Sequence, residues 1–274
     1  MSGSGHPAFT MGPAILFCPA DRPERYAKAA ARADAVIIDL EDAVAASDKP
    51  AARKAMVDSA LDPERTIIRV NPVSTEDFAA DLAALRQSAY TTVMLAKTER
   101  VEDARQLAGY SVIALCETAL GVLNAGAIAA EANVVALMWG AEDLVASLGG
   151  TSSRHEDGSY RDVAVHARAT ALLAAGAQGK AAIDSVYIDI PDTDGLAAES
   201  RDAAASGFAA KASIHPAQMP VIRDAYAPDP AAVGRARAIL EAARTAHGVF
   251  SFEGQMVDEP LLRHARRLVA RAGE

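Results

Sequence analysis

Short apolar runs without polar alternation recur along the chain, separated by longer stretches in which alanine and charged residues repeat at helical spacing. The runs at Ala14–Phe17, Ala35–Leu40, Thr66–Val70, Thr92–Ala96, Ser111–Cys116, Val134–Trp139, Ser185–Ile190 and Lys211–Ile214 read as strands. Continuous burial of that kind is what a parallel sheet covered on both faces by helices requires. Between them the pattern predicts helices, among them Arg22–Arg32, Lys49–Ala60, Thr75–Ser88, Val101–Leu107 and Ala197–Ala205. Strand starts recur about every 28 residues, roughly the length of one β-loop-α unit. Eight such units predict an α/β fold, a (β/α)8 TIM barrel, with a doubly wound open sheet as the alternative.

One interval, from Val134 to Ser185, is much longer than the rest. It holds Gly149–Tyr160, rich in loop formers, and the position after the sixth strand predicts a loop flanking the active face. After the eighth strand the chain continues through a Pro-containing linker (Ala227–Pro230), a helix (Ala231–His247), the segment Phe250–Pro260 and a last helix (Leu261–Arg271). We therefore expect a catalytic barrel over residues 1–220 and a C-terminal helical extension over 221–274, packed on the barrel and on a neighbouring subunit.

The 274 residues are 51% hydrophobic, enough to fill a large core. Thirty-six acidic residues against 27 basic ones give a formal charge of −9, which argues against a nucleic-acid partner. No apolar stretch has the length and freedom from charge of a membrane span. The first residues lack the basic-then-apolar pattern of a signal peptide. Cys18 and Cys116, far apart in apolar runs and without a CxxC motif, read as reduced buried thiols. A cytoplasmic protein is the expectation.

In a barrel the informative residues stand at the C-terminal ends of strands. Those positions carry Asp21 and Arg22, then Asp39, Glu41 and Asp42, then Arg69 and Asn71, Lys97 and Glu99, Glu117, and finally Glu142 and Asp143. Glu117 and Asp143 lie one βα unit apart. They read either as a pair of hard oxygen ligands for Mg2+ or as acidic residues favouring the first turns of the following helices. Asp42, which also precedes a helix, reads either as a rim carboxylate or as a helix cap. Arg69 ends an apolar strand, where its desolvated charge needs an anion: Glu41, a substrate carboxylate, or both. Arg22, Arg25 and Lys28 form either a phosphate-binding group or an ordinary solvated helix face. Lys97 and Lys211 raise a Schiff-base mechanism, which the acidic rim disfavours by holding a lysine protonated. Gly176–Ala181 fails as a P-loop, and His155–Asp157 lacks metal-ligand spacing.

Seven segments together resemble the citrate lyase β-subunit-like branch of the HpcH/HpaI aldolase superfamily, which includes malyl-CoA and citramalyl-CoA lyases. They are Leu16–Arg25, Ile38–Asp42, Ile68–Pro72, Cys116–Thr118, Trp139–Asp143, Ala212–Pro216 and Gly254–Pro260. The resemblance implies Mg2+, with Mn2+ as a substitute, held by Glu117 and Asp143. It implies Arg69 on the substrate carboxylate and thioester oxygen, oriented by Glu41, with Asp39 and Asp42 lining the pocket. Coenzyme A would run past Arg22, Arg25 and Lys28 and along Ile214, His215 and Pro216. Asp258 would serve as an acid/base reaching a neighbouring subunit's site, which implies a homo-oligomer, a homotrimer in particular. The implied reaction is cleavage of a short-chain 3-hydroxyacyl-CoA to acetyl-CoA and a keto acid. The competing readings are an aldolase on free hydroxy acids and a non-catalytic acyl-thioester-binding subunit of a citrate-lyase-like complex.

Overall fold

The computed structural model describes residues 8–244, 246 and 248–272. The reading of residues 1–7 as no part of a signal peptide, and the expected helix end at His247, lie outside the described residues. Eight parallel strands close into a barrel in sequence order: β1 (Ala14–Pro19), β2 (Ala35–Asp39), β3 (Thr66–Val70), β4 (Thr92–Leu95), β5 (Ser111–Cys116), β6 (Val134–Trp139), β7 (Ala181–Asp184) and β8 (Ala210–Ser213), with β8 returning to pair with β1.

Strand alternation sends one residue in two into the barrel. Ile15, Ile37, Ile67, Met94, Ile113, Leu115, Met138 and Ile183 fill the interior, and Ala35, Ala136, Ala210 and Ala212 leave room for them. The interior is thus a packed core, and any chemistry is confined to the mouth. The opposite strand faces lie under the helical layer: α1 (Tyr26–Arg32), α2 (Lys49–Val57), α3 (Glu76–Leu85), α4 (Val101–Arg105), α5 (Ala119–Ala130), α6 (Ala141–Ser147), α7 (Asp162–Ala177), α8 (Thr193–Ser206) and α9 (Gln218–Tyr226). Helix α7 fills the long interval after β6. It buries Ala164, Ala167, Ala171, Ala174 and Ala175, a stripe at helical spacing whose small side chains let it lie close.

One strand differs from the sequence reading. The seventh is Ala181–Asp184, and Ser185–Ile190, expected as the strand, is irregular chain in which Ile188 and Ile190 are exposed. The alternating apolar residues of Ser185–Ile190 look more strand-like than Ala-Ala-Ile-Asp. Tertiary pairing outweighs that preference, because Ala181–Ile183 complete the ladder with Ala136–Met138 of β6.

Compactness divides the chain into one unit up to Ala225 and another from Tyr226 onward. In the second, α10 (Pro230–Ala243) packs on α11 (Glu259–Arg271), and β9 (Phe250–Phe252) pairs antiparallel with β10 (Gln255–Val257). The hairpin turns through Glu253 and Gly254, both at positive φ (48° and 78°), as a two-residue turn between twisted strands requires. Asp258 caps α11, its Oδ1 accepting from the Leu261 amide at 3.1 Å. No helix among the described residues is long and apolar enough to cross a membrane.

Candidate active site

The strand period that builds the core also builds the site. Asp39, Arg69 and Glu117 stand two residues beyond Ile37, Ile67 and Leu115, so they share the inward phase and emerge one layer above the apolar plug. Together with Phe17, Met138, Gly140, Asp143 and Ile214 they line a cavity of about 290 Å³ at the barrel mouth.

Arg69 is buried there, and its charge is met bidentately. Nε donates to Asp39 Oδ1 at 2.7 Å and Nη2 donates to Asp39 Oδ2 at 2.6 Å. Asp39 is the register partner of Arg69 across the β2–β3 ladder, which explains why it, rather than Glu41, is the main anion. Burial works against the guanidinium charge, but Asp39, then Glu41 and Glu117, more than offset this and raise the Arg69 pKa. Phe17 adds its ring face, 4.8 Å from the guanidinium carbon. The Asp39 carboxylate also accepts from the Glu41 amide at 2.9 Å and the Ala43 amide at 3.3 Å, which fixes the turn after β2.

Glu41 is buried beside this pair. Its Oε2 lies 3.0 Å from Arg69 Nη1, but not in hydrogen-bond geometry, so this buried oxygen has no hydrogen-bond partner. Its Oε1 accepts from Lys97 Nζ. Desolvation raises the Glu41 pKa, opposed by Arg69 and Lys97. Asp42 is exposed, 3.1 Å from Lys97 Nζ.

Glu117 is buried with its Oε1 on the Lys97 amide at 3.1 Å. Thr118, not Glu117, caps α5, accepting from the Gly121 amide at 3.1 Å, so the helix-cap reading of Glu117 gives way. Desolvation, and then the Asp143 charge, push the Glu117 pKa up to about 8. Asp143, in the first turn of α6, is half-buried and faces the same cavity.

Of the other expected binding residues, Ile214 joins this cavity, and Arg22, Arg25, Lys28, His215 and Pro216 are not part of its lining. Arg22, Arg25 and Lys28 are exposed, Arg22 lying 3.7 Å from Asp21 and Arg25 3.8 Å from Glu24. Ile214 lines the cavity, His215 is exposed with its Nδ1 accepting from the Ala217 amide, and Pro216 is half-buried. The loops after β1 and β8 are neighbours, because those strands pair. Asp258 belongs to the second unit.

The family pattern of HpcH/HpaI aldolase/citrate lyase matches residues 14–216. The chain belongs to this family. It is 57% identical to a citrate lyase subunit beta-like protein of Mycobacterium tuberculosis over 263 residues, 96% of each chain. It is 33% identical to human mitochondrial citramalyl-CoA lyase, covering 99% of this chain and 88% of that one. A crystal structure of the M. tuberculosis protein CitE in complex with magnesium, acetoacetate and coenzyme A matches with a TM-score of 0.92 at 57% identity, covering 96% of this chain and 99% of that chain.

The cluster in this family member fits a hard divalent cation. Two carboxylates, Glu117 and Asp143, face one cavity, and the Asp143 charge raises the cost of charge on Glu117. Among the described residues no third His, Cys, Asp or Glu joins them as a ready-made ligand set. A cation held by two protein carboxylates keeps positions for water and substrate oxygens, which suits Mg2+. Gly140 makes room for the geometry: a Cβ there would lie 2.7 Å from Glu117 Oε2. We expect Gly140→Ala to push the Glu117 carboxylate aside and weaken Mg2+ binding by about tenfold, as misplacing a ligand does. Calorimetric titration of the folded variant measures it, and affinity equal to that of the unaltered protein would show that Glu117 moves without cost.

The raised Glu117 pKa also predicts a pH dependence. In the metal-free protein the native state holds this proton up to about 8, whereas the unfolded carboxyl releases it near 4.5. The unfolded state therefore binds fewer protons across that window, and stability falls as pH rises through it. With EDTA, the Tm difference between Glu117→Gln and the unaltered protein should widen from pH 5 to pH 8 in favour of the variant. Excess Mg2+ should close the gap, and parallel Tm curves in EDTA would remove Glu117 as its source.

Lys211 does not serve this site. It follows Ala210 out of phase with the interior, and its ammonium is fully buried on the outer face of the barrel, bound to Asp184 at 3.0 Å, Glu199 at 2.8 Å and the Ser185 carbonyl at 2.7 Å. Arg168 and the Trp139 indole complete the shell of Asp184. A lysine so paired outside the barrel interior is structural, which removes it as a Schiff-base candidate. The loop Gly149–Tyr160 joins the same network: Arg154 binds Glu199 at 2.7 Å and stacks on Tyr160 and Tyr187. Sequence spacing gave no signal for this anchoring, nor for Phe17 beneath Arg69.

Proposed function

We propose that the protein is a Mg2+-dependent carbon–carbon lyase that cleaves a short-chain 3-hydroxyacyl-CoA, of the citramalyl-, malyl- or 3-hydroxy-3-methylglutaryl-CoA type, into acetyl-CoA and a keto acid. The observation that carries the reading is a bidentately held, buried Arg69 in the same 290 Å³ cavity as the paired carboxylates Glu117 and Asp143. That combination places a fixed cation beside a divalent-metal pocket, the two charges needed where a carboxylate-bearing substrate becomes an enolate and a carbonyl.

Bound Mg2+ supplies a Lewis acid that polarises the substrate's hydroxyl and carboxylate oxygens. Arg69, which cannot rotate away from Asp39 without breaking two hydrogen bonds, presents its remaining edge to the thioester oxygen and stabilises the enolate as the carbon–carbon bond breaks. Glu41 limits where that edge points. The hydroxyl proton passes to solvent as the keto acid's carbonyl forms, and Asp258, supplied by a neighbouring subunit of a homotrimer, protonates the enolate carbon to give acetyl-CoA. The cap that ties Asp258 Oδ1 to α11 holds its carboxyl in one orientation for that step. Coenzyme A lies over the β1 and β8 loops, with Ile214 and Pro216 against pantetheine, His215 beside them, and Arg22, Arg25 and Lys28 reaching the phosphates. A cytoplasmic location accords with two unpaired, buried cysteines, Cys18 and Cys116.

Acetyl-CoA release from a panel of these three thioesters, with Mg2+ and with excess EDTA, tests the reading. The expected result is turnover that EDTA abolishes and that Mn2+ restores. Turnover surviving EDTA would overturn the metal mechanism. Turnover on free hydroxy acids alone would assign an aldolase, and binding without turnover would assign an acyl-thioester carrier subunit.

A further inference from the structure

Lys97 touches four acidic residues of the mouth, Glu41, Asp42, Glu117 and Asp143. Its amide donates to Glu117 Oε1 at 3.1 Å. Its ammonium donates to Glu41 Oε1, lies 3.1 Å from Asp42 Oδ2, and lies 3.4 Å from Asp143 Oδ1. One residue thereby bridges both carboxylates of the metal pair and both acidic residues of the β2 turn. The bridge depends on a backbone conformation that side-chain-bearing residues rarely adopt, φ of 47°, which ends β4 and turns the amide towards Glu117.

The charge arrangement gives this ammonium a task beyond packing. Glu41, Asp42, Glu117 and Asp143 are four carboxylates, while Arg69 is already committed to Asp39. Lys97 is half-buried, and the acidic groups hold it protonated against the cost of its burial. It also lines one cavity while two of its acidic partners line another. The 290 Å³ cavity is lined by Glu117 and Asp143, and a polar cavity of about 760 Å³ is lined by Lys97 together with Glu41, Asp42 and Glu99. The ammonium therefore has room to move away from Asp143 without losing Glu41 and Asp42.

We propose that Lys97 is a positioning residue that acts as a built-in counter-cation: it holds Asp143 while no metal is bound, competes with Mg2+ for that carboxylate, and shifts towards Glu41 and Asp42 when Mg2+ binds. The inference rests on the reading of Glu117 and Asp143 as the Mg2+ pair. Its consequence is that the resting protein binds Mg2+ more weakly than its carboxylates alone would, so metal uptake is favoured when an anionic substrate adds further ligands.

Calorimetric Mg2+ titration of Lys97→Met and Lys97→Arg, without substrate, tests it. Removing one positive charge this close to a ligand carboxylate should tighten Mg2+ by about tenfold or more, while Lys97→Arg, which keeps the charge, should stay within about threefold of the unaltered protein. Equal or weaker Mg2+ binding in Lys97→Met, or tightening in both variants, would overturn the proposal. A measurement on the unaltered chain covers the case of a variant that does not fold. In a brief acetic anhydride pulse read by mass spectrometry, Mg2+ should raise the acetylation of Lys97 relative to the exposed Lys28, and an unchanged ratio would overturn the shift. Asp143→Asn separates the two levels: if it binds Mg2+ as the unaltered protein does, the metal reading falls, whatever Lys97 does.

Discussion

Arg69→Lys should lower kcat for thioester cleavage by about two to three orders of magnitude, the usual loss when one preorganised donor to a developing oxyanion is removed. The substitution retains a positive charge at the end of β3, so the barrel should still close. What it removes is the fork. Asp39 now receives two parallel hydrogen bonds at 2.7 and 2.6 Å, and that pairing leaves the third guanidinium nitrogen facing Glu41 and the cavity. An ammonium on a flexible stem bonds Asp39 or the substrate oxygen, and it cannot hold both directions at once. Mg2+ affinity measured without substrate should change far less than kcat, because Glu117 and Asp143 make no hydrogen bond to Arg69. A kcat within tenfold of the unaltered protein would mean that charge alone suffices and that the bidentate geometry has no catalytic role.

The parts of this site that the sequence revealed share a physical reason. Asp39, Arg69 and Glu117 extend runs whose alternation is already fixed by Ile37, Ile67 and Leu115, so a charged residue in that phase must emerge at the barrel mouth. The same reasoning, applied to Lys211, depended on where β7 and β8 begin. Reading β7 as Ser185–Ile190 hid Asp184, the buried partner that binds Lys211 on the outer face. Ala181–Asp184 is a weak strand by its side chains and a strand only because β6 and β8 flank it. Lys97 was legible as a rim lysine, but its contacts depend on a positive φ that no residue type at that position announces. Arg69 was expected to need an anion, and its pairing with Asp39 follows from ladder register, which a single strand's sequence does not contain. Asp258 was proposed from family resemblance alone, because it lies in a hairpin-and-helix unit whose strands, of three residues each, are too short to read as a pattern.

Asp258→Asn should abolish turnover while leaving Mg2+ affinity intact, and this is the strongest test of a site shared between subunits. Asparagine accepts the α11 cap hydrogen bond from Leu261 as aspartate does, so the local fold at the helix start should persist. It cannot deliver a proton to the enolate or take one back, and general acid–base groups contribute about 10²- to 10⁴-fold. Partial reaction should survive: the variant should still bind acyl-CoA in a Mg2+-dependent way and should lose exchange of the acetyl-CoA methyl protons with solvent, which the unaltered enzyme should catalyse in the presence of keto acid. Complementation then asks where the carboxyl acts. Arg69→Lys and Asp258→Asn each lack one component, so co-refolding the two inactive chains should restore activity only if Asp258 of one subunit serves Arg69 of another. In an oligomer of randomly mixed subunits, a fraction of the interfaces would then carry both intact residues. Recovered turnover would establish the shared site. If the mixture stays inactive while light scattering shows mixed oligomers, Asp258 acts within its own chain or not at all. Unchanged kcat in Asp258→Asn alone would remove it from the mechanism.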